Sequence, residues 1–219
     1  MLSFEKHITI TQPVTTAIQA IEHECELSIQ QIKNAINKGA LWLTRGKGTQ
    51  RLRRVKKALK VGDTLHFYYN ESVLAQVPNS AELIEDCQDY SVWYKPYGML
   101  SQGSKWSDHC TIARWAETQL LPQRPAYVVH RLDRAATGLI IIAHSKRAAN
   151  ALSTMFEQRK LSKTYNIICL GQLKDNDRYT VTEPIDGKAA TSHFTRLAYN
   201  KKHNLSLVEV NIESGRKHQ

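Results

Sequence analysis

The stretch VVHRLDRAATGLIIIA, residues 128–143, places two short apolar runs on either side of a polar loop. Val128-Val129 and Leu139–Ala143 read as buried strands, and residues 131–138 form the connection between them. Leu139–Ala143 is also the longest unbroken apolar run in the chain. It falls far short of the ~20 residues a membrane-spanning helix needs.

Reading outward from this pair predicts the rest of the second half. Ser145 caps a helix whose buried face is Ala148, Leu152, Met155 and Phe156, at i, i+4, i+7 and i+8. Strands are expected over 165–170, 191–198 and 205–212. Leu205, Leu207 and Val210 lose strict alternation around Val208, which predicts a residue buried on both faces, or a bulge, at that point. Upstream, Ser91–Tyr94 is a strand, ended by the turn-forming Lys95-Pro96-Tyr97-Gly98. Strands outnumber helices and few strand–helix–strand units repeat. The expected class is therefore α+β, with a mixed, largely antiparallel sheet.

Residues 1–75 read as a separate small α+β unit. Ser28 and Gln31 form an S-x-x-Q capping box, Leu27 can staple onto Ile32, and Gly39 supplies a stop. The helix over 28–39 is expected to bury Ile29, Ile32 and Ile36. A short strand over 40–44 follows, then a basic stretch, then the turn Lys60–Thr64 into a strand over 65–69. Residues 76–89 are expected to be a linker, because Pro78, Asn79 and Ser80 favour a turn and acidic residues follow. Residues 90–219 make the second domain.

Of the 219 residues, 42% are apolar, enough for a packed core. The formal net charge is +10, and it is concentrated in one place. The stretch RGKGTQRLRRVKKALK, residues 45–60, carries eight basic residues and no acidic one: Arg45, Lys47, Arg51, Arg53, Arg54, Lys56, Lys57 and Lys60. Without it the chain holds 22 basic and 20 acidic residues. A basic run between ordered elements favours a polyanionic partner over a merely solvated face. The N-terminus, MLSFEKHITITQ, carries charge where a signal peptide is apolar. Cys25, Cys87, Cys110 and Cys169 are dispersed, with no C-x-x-C pair, which fits a reducing cytoplasm and argues against a disulfide scaffold or a clustered zinc site.

The polar loop carries the candidate chemistry. Asp133 is flanked by Arg131 and Arg134, and positive neighbours favour the ionised carboxylate. Such a group serves as a nucleophile, a base or a structural ion-pair partner, and the residues alone favour the structural role. His130 and Asp133 make a lone H-x-x-D with no third ligand nearby, so no metal site is expected.

Five segments, in one order, resemble the RluA-type pseudouridine synthases. HRLDRAATGL (130–139) resembles the HRLDxxTSGL signature, with Ala136-Thr137-Gly138 where Thr-Ser-Gly is common. Tyr94–Leu100 resembles NKPxGLL, and FEQRKLSKTY (156–165) resembles F-x-x-R-x-x-x-K-x-Y. Asp186–Thr191 resembles DGKxAxT, and Gly215–Gln219 resembles GRxHQ. Residues 12–70 resemble, more loosely, the alpha-L RNA-binding domain of ribosomal small-subunit protein four, in which the helical face and its neighbouring loop sit on RNA.

The resemblance implies an isomerase that breaks the glycosidic bond of a uridine in RNA, turns the uracil and forms a carbon–carbon bond to the same sugar, with no metal or organic cofactor. It implies that Asp133 is the essential aspartate and that Tyr165 packs on the target base. Arg131 fills the gap left by the flipped nucleotide. Lys163 and Arg216 line or brace the pocket. Lys95, Pro96 and Gly98 are expected to shape a loop, and Asp186 and Lys188 to be structural or to face RNA. Arg45, Lys47, Arg51, Arg53, Arg54, Lys56 and Lys57 are expected to bind RNA phosphates. Large-subunit ribosomal RNA is the expected substrate, with transfer RNA, or RNA binding without catalysis, as the alternatives. A cytoplasmic monomer is expected. In the family an arginine that pairs with the aspartate follows GRxHQ by two residues. This sequence stops at Gln219, so it is expected to be either a fragment of a longer protein or a product lacking a pocket wall, less active or inactive without that arginine.

Overall fold

A computed structural model describes residues 1–12, 16–173, 178–216 and 219. Its contacts divide the chain into two compact units, residues 1–149 and 150–219. The division thus falls inside a helix, away from the expected linker at 76–89.

The first unit opens with a sheet of β1 (Ser3–Thr9), β2 (Leu41–Arg45), β3 (Gly48–Arg51) and β4 (Thr64–Asn70), ordered β1-β4-β2-β3 and antiparallel throughout. Helices α1 (Ala17–Glu22) and α2 (Ile29–Asn37) belong to the same unit. The α2 start is fixed as the sequence predicts. Ser28 Oγ accepts from the Gln31 N–H at 3.3 Å, and Gln31 Oε1 accepts from the Ser28 N–H at 2.9 Å. Such a cap stabilises a helix by about 1 kcal/mol. Its end is a Schellman closure: the Ala40 N–H donates to the Ala35 carbonyl and the Gly39 N–H to the Ile36 carbonyl, with Gly39 at φ +88°. The buried face differs by one position from expectation. Ile32, Ala35 and Ile36 are inaccessible, whereas Ile29, in the first turn, is 44% exposed. β4 alternates cleanly. Leu65, Phe67 and Tyr69 enter the core shared with Leu41, Leu43 and Ile36, while Thr64, His66 and Tyr68 form the outer face.

The second sheet contains β5 (Glu82–Asp86), β6 (Tyr90–Lys95), β7 (Tyr127–Val128) and β8 (Gly138–Ala143), ordered β5-β6-β8-β7 and again antiparallel. Part of the expected linker is therefore an edge strand, preceded by the one-turn helix α3 (Glu71–Leu74). Helix α4 (Ile112–Gln119) starts at Thr111, whose side chain accepts from the Arg114 N–H. Lys95 pairs with Gly138, so the polar loop enters β8 beside the turn that leaves β6.

Helix α5 (Lys146–Glu157) is capped by Ser145 as expected, the Ala148 N–H donating to Ser145 Oγ at 3.1 Å. Its expected buried face is open. Ala148, Leu152 and Phe156 are half-buried, and Met155 is 37% exposed.

The second unit is built on a sheet of β9 (Thr164–Leu170), β10 (Arg178–Val181), β11 (Ser192–Asn200) and β12 (Leu205–Ile212), ordered β10-β11-β12-β9. The irregularity expected in β12 lies in its partner. β12 buries Ser206, Val208 and Val210 in strict alternation, and the extra residue is Leu197 of β11, between Arg196 and Ala198. Among the described residues no helix is long and apolar enough to cross a membrane.

Candidate active site

In the first unit the Asp133 loop is held by the segment 95–101. Ser101 Oγ donates to the Leu132 carbonyl at 2.6 Å and accepts from the Leu132 N–H at 3.0 Å. The Gly98 N–H donates to the Arg134 carbonyl at 2.8 Å, and Arg134 Nε returns a bond to the Gly98 carbonyl at 3.2 Å. Asp133 is thus flanked on both sides by fixed backbone, while its own residue is exposed. Its carbonyl accepts from the Ala136 N–H at 3.1 Å, which tightens the turn that follows. Ser101 is 5% exposed and its hydroxyl is fully engaged; a lone serine in GMLSQG gave no sequence signal for that role.

Beneath this turn Lys95 is fully buried, its ammonium donating to the carbonyls of Met99 at 2.8 Å and Pro96 at 3.2 Å. Burial pushes Lys95 below its ordinary value, and the charge of Asp133 opposes that shift. Lys95 therefore shapes the turn, and it also lies within electrostatic reach of the Asp133 carboxylate. His130 is used structurally, since its Nε2 accepts from the Ile141 N–H at 2.9 Å. Arg131 is exposed on the same loop.

The second unit gathers the other motif residues. Tyr165 sits on β9 opposite Val210, half-buried, on the face that carries Val208. The Lys163 carbonyl accepts from the Ile212 N–H at 3.1 Å. A β-carbon on Gly215 would stand 3.6 Å from the Lys163 ammonium. Burial, then the neighbouring charge of Arg159, pushes Lys163 below its ordinary value. Lys163 lines a groove of about 530 Å³ with Arg159, Lys160, His193, Asn211 and Glu213.

Arg216 Nε donates to the Ala189 carbonyl at 3.0 Å, which ties the GR segment to the turn Ile185–Lys188. Gln219 completes the brace. Its Oε1 accepts from Ser214 Oγ and the Arg216 N–H, and its Nε2 donates to the Thr191 carbonyl and Ser192 Oγ, all within 3.1 Å. The DGKxAxT and GRxHQ segments are therefore one structural feature. Lys217 and His218 lie outside the described residues.

The basic run divides by environment. Arg45 Nε and Nη2 donate to the Asp63 carboxylate at 2.8 and 2.6 Å. Asp63 also accepts from the Lys60 N–H at 2.8 Å, and these contacts, led by the Arg45 bond, lower its pKa to about 2. Arg51 and Arg53 both pair with Asp108, far along the chain. Lys47, Arg54 and Lys56 are exposed, and Lys57 is half-buried. Among the described residues no group of three or more His, Cys, Asp or Glu side chains is placed to hold a metal ion.

Residues 89–219 match the family model of RNA pseudouridylate synthase. The chain belongs to that family. An uncharacterised RNA pseudouridine synthase of Bacillus subtilis is 35% identical over 105 residues, 42% of this chain and 34% of the relative. The transfer RNA pseudouridine synthase C of Pectobacterium carotovorum is 33% identical over 116 residues, 42% of this chain and 31% of the relative. The ribosomal large subunit pseudouridine synthase D of Yersinia pestis is 25% identical over 157 residues, 63% of this chain and 46% of the relative. The chain thus spans about a third of the length of the first two synthases and under half of the third. Human RNA pseudouridylate synthase domain containing 1 shares the fold, with a TM-score of 0.54 at 18% identity, covering 66% of this chain and 65% of its own. The α+β class with antiparallel sheets is that of the synthase family.

Proposed function

We propose that this chain isomerises uridine to pseudouridine in RNA, with Asp133 as the essential residue. The observation that carries the reading is the bracing of the Asp133 loop, on both sides, inside a stretch matched by the synthase family. In the reaction the bond from the sugar to ring nitrogen 1 breaks, the uracil turns, and the sugar bonds to ring carbon 5. Carbon 5 loses its proton and nitrogen 1 gains one, so atoms balance without a redox partner. Whether the carboxylate adds to the sugar or removes a proton from it, it must stand about 3–3.5 Å from the reacting atom. Fixed backbone on either side of Asp133 supports such placement. Tyr165, Lys163 and Arg216 are proposed to contact or brace the flipped base, and Arg131 to fill the space it leaves.

Large-subunit ribosomal RNA is the proposed substrate class. The resemblance of residues 12–70 to an alpha-L RNA-binding domain supports it, as do Lys47, Arg54 and Lys56, which face solvent where phosphates can reach them. The relatives carry both ribosomal and transfer RNA names, so the two classes are arms of one experiment. Release of tritium from RNA labelled at uridine carbon 5 measures turnover on each. Release from ribosomal RNA supports the reading, and release from transfer RNA alone moves the substrate. RNA binding with no release from either leaves a binding protein.

A further inference from the structure

The outer face of the first sheet is organised in rows across all four strands. His7 of β1 lies opposite His66 of β4, His66 opposite Trp42 of β2, and Trp42 opposite Arg51 of β3. The next row is Thr9, Thr64, Thr44 and Thr49. On the other side, Tyr68 meets the ring of Trp106 edge to face at 5.9 Å. One row thus offers flat rings ending in a guanidinium, and its neighbour offers four hydroxyls. The core does not use this face, because Leu65, Phe67 and Tyr69 point the other way.

Charge gives the face a polarity. The Arg51 guanidinium lies 4.3 Å from the centre of the Trp42 ring, and the Lys105 ammonium about 5 Å from both Tyr68 and Trp106. A groove of about 550 Å³ opens beside Trp42. Its walls carry Arg51, Arg53, Lys105 and Arg114; Asp108 pairs with both Arg51 and Arg53, Glu117 with Arg114, and Glu5 with Lys105, which leaves one positive charge in excess at the Arg51–Arg53 pair. Burial and the nearby His7 hold His66 below its ordinary value, so at neutral pH it is an uncharged ring. Rings with adjacent cations suit nucleic acid whose bases are free to stack. A duplex keeps its bases stacked on one another and offers such rings little.

We propose that this outer face and its adjoining groove dock a single-stranded segment of the RNA substrate, with bases on Trp42, His66 and Tyr68 and a phosphate at Arg51 and Arg53, whose two charges share the single carboxylate of Asp108. The inference rests on the RNA reading above and adds a surface to it. This surface lies on the outer side of the sheet, not on the helices.

The test uses the full 219-residue chain and a mixed-sequence 12-nucleotide RNA, followed by tryptophan fluorescence and anisotropy across a salt series. The strand is expected to quench tryptophan emission. Trp42→Ala and Tyr68→Ala should each weaken binding by about 5- to 100-fold, the worth of one stacked base. The salt slope should stay unchanged, because no phosphate contact is lost. Trp42→Phe should bind within about threefold of the parent, since a phenyl ring still stacks. The inference is overturned if both alanine variants bind like the parent. It is equally overturned if Trp42→Phe loses as much as Trp42→Ala, which would assign Trp42 to its Nε1–H bond with the Lys105 carbonyl. Equal binding of a 12-base-pair duplex, or equal displacement by polyglutamate, would also overturn it. Tritium release measured in parallel separates the two readings. Release with ring-independent binding removes only the docking surface; ring-dependent binding without release removes only the catalytic assignment.

Discussion

Ser101 closes both backbone hydrogen bonds of Leu132, the residue immediately before Asp133. One hydroxyl, donating at 2.6 Å and accepting at 3.0 Å, takes the place of a strand partner that this irregular segment lacks. Ser101→Ala would leave a buried N–H and carbonyl unpaired, at a cost of about 1–3 kcal/mol. The expected result is a fall in kcat of about tenfold or more with KM nearly unchanged, because a small displacement of the carboxylate affects the reaction more than binding. Steady-state kinetics on labelled RNA checks this. A rise in KM alone would show that Ser101 serves RNA binding instead.

Asp63 predicts an acid-sensitive N-terminal unit. It is 2% exposed, and Arg45 and the Lys60 N–H lower its pKa to about 2, below the ordinary aspartate value near 3.9. Folding therefore favours the ionised form. That stabilisation is complete above pH ~4 and is lost as pH falls through about 2. Asp63→Asn should cost about 2 kcal/mol at pH 7. The difference between the two proteins should shrink toward pH 2. Denaturant titrations at several pH values measure it, and a pH-independent difference would contradict the assignment.

Asp108 depends on two glycines for its position. A β-carbon on Gly103 would overlap the Asp108 side chain and stand 2.9 Å from its Cα, and one on Gly39 would meet Asp108 Oδ1 and, at 2.7 Å, Arg51 Nη1. Gly103→Ala should therefore destabilise the first unit by about 2 kcal/mol or more. Asp108→Ala should do the same by leaving Arg51 and Arg53 without their shared carboxylate. The double variant should lose less than the sum, since both changes break one contact. Thermal unfolding of the three variants decides it, and full additivity would contradict the coupling.

Features encoded by neighbours were legible in the sequence. The capping box of Ser28 and Gln31, the alternation of β4, and the loop between the apolar runs at 128 and 139 each needed only a few adjacent residues. Features decided by distant partners were not. β1 reads as a charged stretch, yet it pairs along its whole length with β4, some sixty residues on. Glu82–Asp86 is acidic and exposed along its length, and becomes a strand only because β6 supplies its hydrogen bonds. The spacing of β12 points to a residue buried on both faces, or a bulge, near Val208, but Leu197 of the adjacent strand is the extra residue. Charge counting found the basic run and could not see that Asp63 and Asp108 would take three of its arginines. The motif residues of the candidate site are legible through resemblance, whereas Ser101, one residue past the Tyr94–Leu100 segment, emerges only from its hydrogen bonds.

The central claim is that Asp133 performs uridine isomerisation in RNA. Its most direct measurement is tritium release from carbon-5-labelled uridine in ribosomal RNA by a parent protein that carries the arginine following GRxHQ, and by its Asp133→Asn variant, with RNA affinity measured alongside. Release by the parent, a loss of at least about a thousandfold in the variant, and RNA affinity within about threefold are expected. Release by Asp133→Asn at the parental rate would contradict the claim.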